Sequence, residues 1–173
     1  GTAERLNAEF DEIHDAYYGD HIVIDDGSAS RCYKKAEDIS MMDYHLPFSH
    51  QSVYITKKCY DKFGLYSMNY KLCLDYELIV KMYKGGATFK YIPYPFCEYR
   101  LGGCTYVDPM ATVNEVTAIA VKYGLPKQKA LKYKMYYLSL CYGKRMLTKI
   151  GLLKLARHIR QKFNKHVDYD TTL

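Results

Sequence analysis

The side chains best placed to do chemistry in this sequence are Asp75 and Glu77 in Leu74-Asp75-Tyr76-Glu77-Leu78, His50 and Gln51 in Pro47-Phe48-Ser49-His50-Gln51-Ser52, and Arg100 in Tyr99-Arg100-Leu101-Gly102-Gly103. A positioned carboxylate or imidazole can move a proton, and a guanidinium can hold an anionic group through charge-assisted bonds. Each also has a plain structural use. A carboxylate in a first helical turn complements the dipole and the unpaired N–H groups there. A His-Gln pair at a strand start can be an ordinary hydrogen-bonded pair, and an arginine after a strand can pair with a carboxylate of its own domain. Glu77 stands two residues from Asp75 and so points elsewhere on the helix, where it would support the site from behind or meet an acceptor.

The elements that must position these residues follow from periodicity and punctuation. Leu74, Leu78, Ile79 and Met82 recur at helical spacing, with Gly85-Gly86 as the stop, so Asp75 falls in a first turn. Pro47-Phe48 leads into His50-Gln51-Ser52 and a short alternating strand, Val53 to Ile55. Thr56 is the expected N-cap of a helix from Lys57 to Phe63, closed by Gly64. Ahead of these, Ala3, Leu6, Phe10 and Ile13 mark an amphipathic helix. Tyr17 to Ile24 reads as a strand followed by a turn at Asp25-Asp26-Gly27-Ser28, and residues 29–44 read as a polar loop. After the Asp75 helix, Ala87 to Ile92 alternates as a strand that Pro93 and Pro95 break, and Phe96 to Arg100 reads as another. Three helices are then expected: from Pro109 through about Tyr123, through about Tyr142, and, after Gly143, through about Asn164.

Composition narrows the class. A 173-residue chain that is 49% hydrophobic is long enough to fold around a core. Twenty tyrosines and no tryptophan suit core positions whose hydroxyls reach water, with some left to stack on sugars or bases. Six cysteines without a CxxC pair give no metal rhythm, and they read as reduced, mostly buried thiols of a cytoplasmic protein. No run approaches the ~20 apolar residues of a membrane span. The net charge of +6 is unevenly placed: residues 1–115 carry 12 basic and 17 acidic side chains, whereas residues 116–167 carry 13 basic and none acidic.

The order of motifs, Pro47-Phe48-Ser49-His50-Gln51, Asp61-Lys62-Phe63-Gly64, Leu74-Asp75-Tyr76-Glu77, Phe89-Lys90-Tyr91-Ile92-Pro93 and Tyr99-Arg100-Leu101-Gly102-Gly103, resembles the C-terminal half of bacterial family-2 glycosyltransferases, inverting enzymes of GT-A fold. The resemblance covers roughly residues 4 to 105. It implies an α/β fold, with a short mixed sheet and packed helices forming part of a GT-A-like nucleotide-diphospho-sugar transferase unit, followed by an α-helical C-terminal tail. The corresponding division is residues 1–108 for the acceptor-side half and 109–173 for the basic tail. Asp75 matches the family's catalytic base, His50 and Gln51 match a cleft-wall motif, and Arg100 matches a Tyr-Arg motif that could meet the donor pyrophosphate. Glu77 is carried with them as a donor or acceptor contact.

The same resemblance implies a nucleotide-sugar donor, a glycan or lipid-linked acceptor, and a role in bacterial surface polysaccharide synthesis. Mn2+ or Mg2+ is expected for the complete enzyme, but ahead of these motifs, where the family carries them, there is neither an Asp-x-Asp nor the nucleotide-binding strand and turn. Little transferase activity and no bound metal are therefore expected from these residues alone. Asp25-Asp26-Gly27-Ser28 also looks like the family's nucleotide-binding turn, but His50-Gln51 and Tyr99-Arg100 would then have no counterparts, so it reads as a polar turn. The competing function is a non-catalytic interaction module whose basic tail binds a membrane or partner. Leu152, Leu155, Ile159 and Phe163 share one face of the last predicted helix, which leaves two readings open: peripheral contact at the inner face of a membrane through residues 144–165, or a helix packed on its own domain with a solvated basic face. Nucleic acid is disfavoured, since no recognised binding motif accompanies the charge.

Overall fold

In the computed structural model, which describes residues 2–25, 30–100, 108–152 and 167–170, strand β1 (Ala16–Asp25) is the axis of a mixed sheet. One edge of β1 pairs in parallel with β4 (Phe89–Arg100), from Ala16↔Phe89 to Ile24↔Arg100. Its other edge is shared end to end by two antiparallel strands. β3 (Val53–Ile55) takes Ala16 to Tyr18, and β2 (Ser30–Lys34) takes His21 to Asp25. A last strand, β5 (Val167–Asp170), pairs antiparallel with β2. The chain is thus of mixed α/β class with a small open sheet.

Helix α1 (Thr2–Glu9) stops short of the expected Ile13, because the Asp11 side chain accepts the backbone N–H groups of Ile13 and His14 and turns the chain. Helix α2 (Lys57–Phe63) has the expected boundaries, with Thr56 Oγ1 accepting from Cys59 N and Gly64 at φ 80° closing it. Helix α3 (Leu74–Lys84) buries Tyr76 to Val80 consecutively, together with Met82. Tyr76, Ile79 and Val80 meet Tyr18, Met42, Phe48 and Cys73, while Leu78 and Met82 meet Cys59 and Ala87. Leu6, Tyr17, Ile92 and Phe96 form a second apolar cluster.

Four expectations need correction. Residues 29–44 are not simply a loop, since they contain β2 and a 3₁₀ turn at Ile39–Asp43 whose N-cap is Asp38. Pro93 and Pro95 do not break the strand. β4 runs through them because the register shifts opposite Gly19 and Asp20, and no described strand pairs with the other edge of β4, so missing N–H donors are tolerated. Gly143 does not end a helix either. After α4 (Pro109–Lys122), helix α5 runs from Lys127 to Lys149. A single glycine costs a helix only about 1 kcal/mol, which a long helix absorbs. Finally, the tail is not wholly helical, because β5 returns to the sheet. The predicted turn from residue 26 and the helix from residue 153 lie outside the described residues.

Helix α4 begins as expected, with Pro109 in its first turn and Asp108 accepting from Ala111 N. Its Ile119 lies in the same buried cluster as Tyr18 and Tyr76, so the core extends past residue 108.

Candidate functional site

The start of α3 is held from outside the helix. Its N-cap, Cys73, makes no side-chain cap bond. Instead Glu115 of α4 accepts the backbone N–H groups of Lys71 (3.0 Å), Leu72 (2.9 Å) and Cys73 (2.9 Å). Burial pushes the Glu115 carboxyl up, but those three donors outweigh it and hold the group below its ordinary value. The Cys73 thiol is pushed up to about 12 by burial, reinforced by Glu115 and Asp75, so it is no nucleophile at neutral pH.

Asp75, in the first turn that follows, stands beside another partner. His50 Nδ1 lies 3.6 Å from Asp75 Oδ2, with the side chains 53% and 37% exposed, respectively. The two side chains are therefore neighbours, just beyond hydrogen-bond distance, and both are partly open.

His50 is presented by a 3₁₀ turn, His50–Ser52, whose N-cap Ser49 Oγ accepts from Gln51 N. The turn is bolted down at its far end. The buried Ser52 hydroxyl donates to the Asp20 carbonyl at 3.0 Å and lies 3.0 Å from Cys97 Sγ, which ties the turn to β1 and β4. Gln51 is exposed on this turn. Arg100 ends β4, exposed and in register with Ile24.

Ser49 and Tyr99, the neighbours of His50 and Arg100, line one open cleft of about 200 Å³ together with His21, Lys34 and Lys35. Tyr99 lines this cleft, whereas His50, Gln51, Asp75 and Arg100 do not, and strand alternation turns Arg100 to the face opposite Tyr99. His21 is stacked on Tyr99, with centroids 5.5 Å apart, and its Nδ1 finds no hydrogen-bond partner among the described residues. Burial, assisted by Lys34 and opposed by Asp20, lowers its pKa to about 4, so the imidazole is neutral at pH 7.

Glu77 is placed differently from the expectation of a donor or acceptor contact. It is 1% exposed, and its Oε1 accepts from Lys122 Nζ and Tyr123 Oη, both at 2.7 Å. Burial pushes this carboxyl up, yet the lysine and tyrosine together keep it below its ordinary value. Its role is to fasten α3 to the end of α4. The position that sequence leaves ambiguous, two residues along the helix from Asp75, is settled by which neighbour covers that face.

Sequence reasoning also passes over Asp20, a carboxylate inside an otherwise apolar strand. It is 1% exposed and accepts from Tyr33 Oη, from Tyr91 Oη at 2.8 Å and from Ala36 N at 2.8 Å. Its signal is the polar residue in the middle of Tyr17-Tyr18-Gly19-Asp20-His21-Ile22, where a buried charge demands several donors. Glu115 has a weaker signal. It is the last acidic residue before a stretch with none, and nothing local shows that it reaches back to residues 71–73.

Among the described residues no group of three or more His, Cys, Asp or Glu side chains could hold a metal ion. None of the described helices is long and apolar enough to cross a membrane. No protein-family model, curated protein or solved structure matches the chain.

Proposed function

We propose that this chain is the acceptor-side, base-carrying part of an inverting, nucleotide-sugar-dependent glycosyltransferase with a GT-A-like fold of the family-2 type. The observation that carries the reading is the pairing of Asp75 with His50. Both belong to the ordered motifs, both are partly open, and neither is used up in capping or burial. In this reading Asp75 takes the proton of an acceptor hydroxyl. The acceptor oxygen forms a bond to the anomeric carbon from the face opposite the leaving group, and the bond from that carbon to the phosphate oxygen breaks with its electron pair going to the nucleoside diphosphate. His50 orients the carboxylate, and Gln51 offers an exposed amide to a sugar hydroxyl. Arg100 is the group for the donor pyrophosphate.

The nucleotide-binding half belongs, in this reading, to chain outside these 173 residues. A divalent cation would neutralise the leaving diphosphate in the complete enzyme. The described residues offer no cluster of three or more His, Cys, Asp or Glu side chains to hold one. The acceptor class is a glycan or a lipid-linked glycan destined for a bacterial surface polysaccharide, assembled in the cytoplasm.

The test is release of nucleoside diphosphate from nucleotide-sugars by the full-length gene product and by its Asp75→Asn form. Asp75→Asn should lower turnover by at least about a hundredfold, the usual scale for removing a general base, with the melting temperature unchanged. A parent-like rate in a folded Asp75→Asn protein would end the base assignment.

A further inference from the structure

Among the described residues, helix α5 buries one side and leaves large apolar side chains exposed next to it. Ala130 is buried with Ala120 and Leu125, and Leu138 is buried further along the helix. Beside that contact, and only about 20° round the helix from Leu138, Leu131 (57%), Met135 (61%), Tyr142 (51%) and Met146 (64%) are exposed. At about 100° per residue these four fall within about 60° of arc, a narrow stripe running along most of the helix. On the same wheel Lys127 and Arg145 lie about 40° to one side of the stripe, and Lys132 lies about 40° to the other. The helix carries seven basic and no acidic side chains.

An open groove of about 550 Å³ between α4 and α5 joins this face. Ala118, Val121 and Leu131 line it, with Lys127 and Lys134 beside them. Leu131 belongs to both stripe and groove, so the apolar surface is continuous from one to the other.

We infer that this face of α5, with the α4–α5 groove, is a docking surface for an anionic lipid bilayer. A linear apolar stripe flanked on both sides by lysine and arginine fits a helix lying in the plane of the interface: the stripe enters the acyl boundary and the cations meet lipid phosphates. The groove offers room for an acyl chain beside Lys127 and Lys134. A second copy of the chain fits less well, because a symmetric contact through this stripe would set Lys127, Lys132 and Arg145 of one copy against the same cations of the other. The contact is placed on residues 127–149, largely before the 144–165 stretch that the sequence marks, and it does not rest on the transferase reading.

The test is co-sedimentation of the full chain with vesicles of phosphatidylcholine alone or mixed with phosphatidylglycerol, which reads no enzymatic activity. Binding is expected to the mixed vesicles only and should weaken as salt is raised. Met135→Asp combined with Met146→Asp should reduce it at least about tenfold, with an unchanged melting temperature, since both side chains are exposed. Lys57→Gln with Lys58→Gln on α2 should leave it unchanged. Failure of the folded parent to bind mixed vesicles would overturn the inference. So would parent-like binding by the double aspartate variant, or a dimer in solution that this variant dissociates.

Discussion

Replacing Glu115 with alanine tests how the start of α3, and with it Asp75, is held in place. One carboxylate accepts three consecutive backbone N–H groups, two of them from the partly or fully buried Leu72 and Cys73. The N–H of the exposed Lys71 can return to water, so two bonds decide the cost. A hydrogen bond to a charged group contributes about 1.5–3 kcal/mol net, and partial access of water lowers that, so Glu115→Ala should cost about 2–3 kcal/mol. For a chain of this length that corresponds to a fall in Tm of roughly 5–10 °C. Glu115→Gln keeps an acceptor oxygen without the charge and should cost about half as much.

The sign with pH follows from the lowered carboxyl. A group whose folded pKa lies below its unfolded value contributes stability that is present above the unfolded value and lost as pH falls through the folded one. Glu115→Gln should therefore flatten part of the acid limb of a stability-versus-pH curve. Urea denaturation of parent, Glu115→Gln and Glu115→Ala across that range measures all three quantities. A Glu115→Ala protein within about 0.5 kcal/mol of the parent, the range of ordinary surface substitutions, would refute the account of the α3 start.

Other outcomes follow from the same geometry. His21, neutral when folded with a pKa near 4, should leave stability untouched above about 6.5. It should draw on the order of 3 kcal/mol from the folded state as pH falls from there toward 4, and NMR titration of its imidazole reads the pKa directly. Gly19→Ala places a Cβ 2.6 Å from the Tyr94 carbonyl and 2.8 Å from the Phe96 ring. It should cost about 1–3 kcal/mol by overpacking, whereas an unchanged urea midpoint would mean that β4 can yield at its bulge.

Local rules read several elements correctly because their causes are local. Thr56 and Gly64 bound α2 by a hydroxyl within reach of an N–H and a backbone that accepts positive φ, and both interactions span only a few residues. Pro109 and Asp108 open α4 in the same way. The prolines of β4 and Gly143 of α5 do not act as breakers, because a breaker's effect depends on what surrounds it. An edge strand with a register shift does not need the missing N–H, and a 23-residue helix outlasts one glycine.

For the site, the amino-acid sequence alone determined that Asp75 stands in the first turn of a helix, that His50 and Gln51 precede a short strand, and that positive charge gathers late in the chain. Each of these rests on spacing, capping and composition within one segment. Tertiary structure decided the rest. It brought His50 to within 3.6 Å of Asp75, buried Glu77 against Lys122 and Tyr123, and sent Glu115 back to the N–H groups of residues 71–73. The physical reason is that the partners of these carboxylates lie 25 to 46 residues away, so which charge is spent on structure and which stays open is settled only when α3, α4 and the 3₁₀ turn pack together.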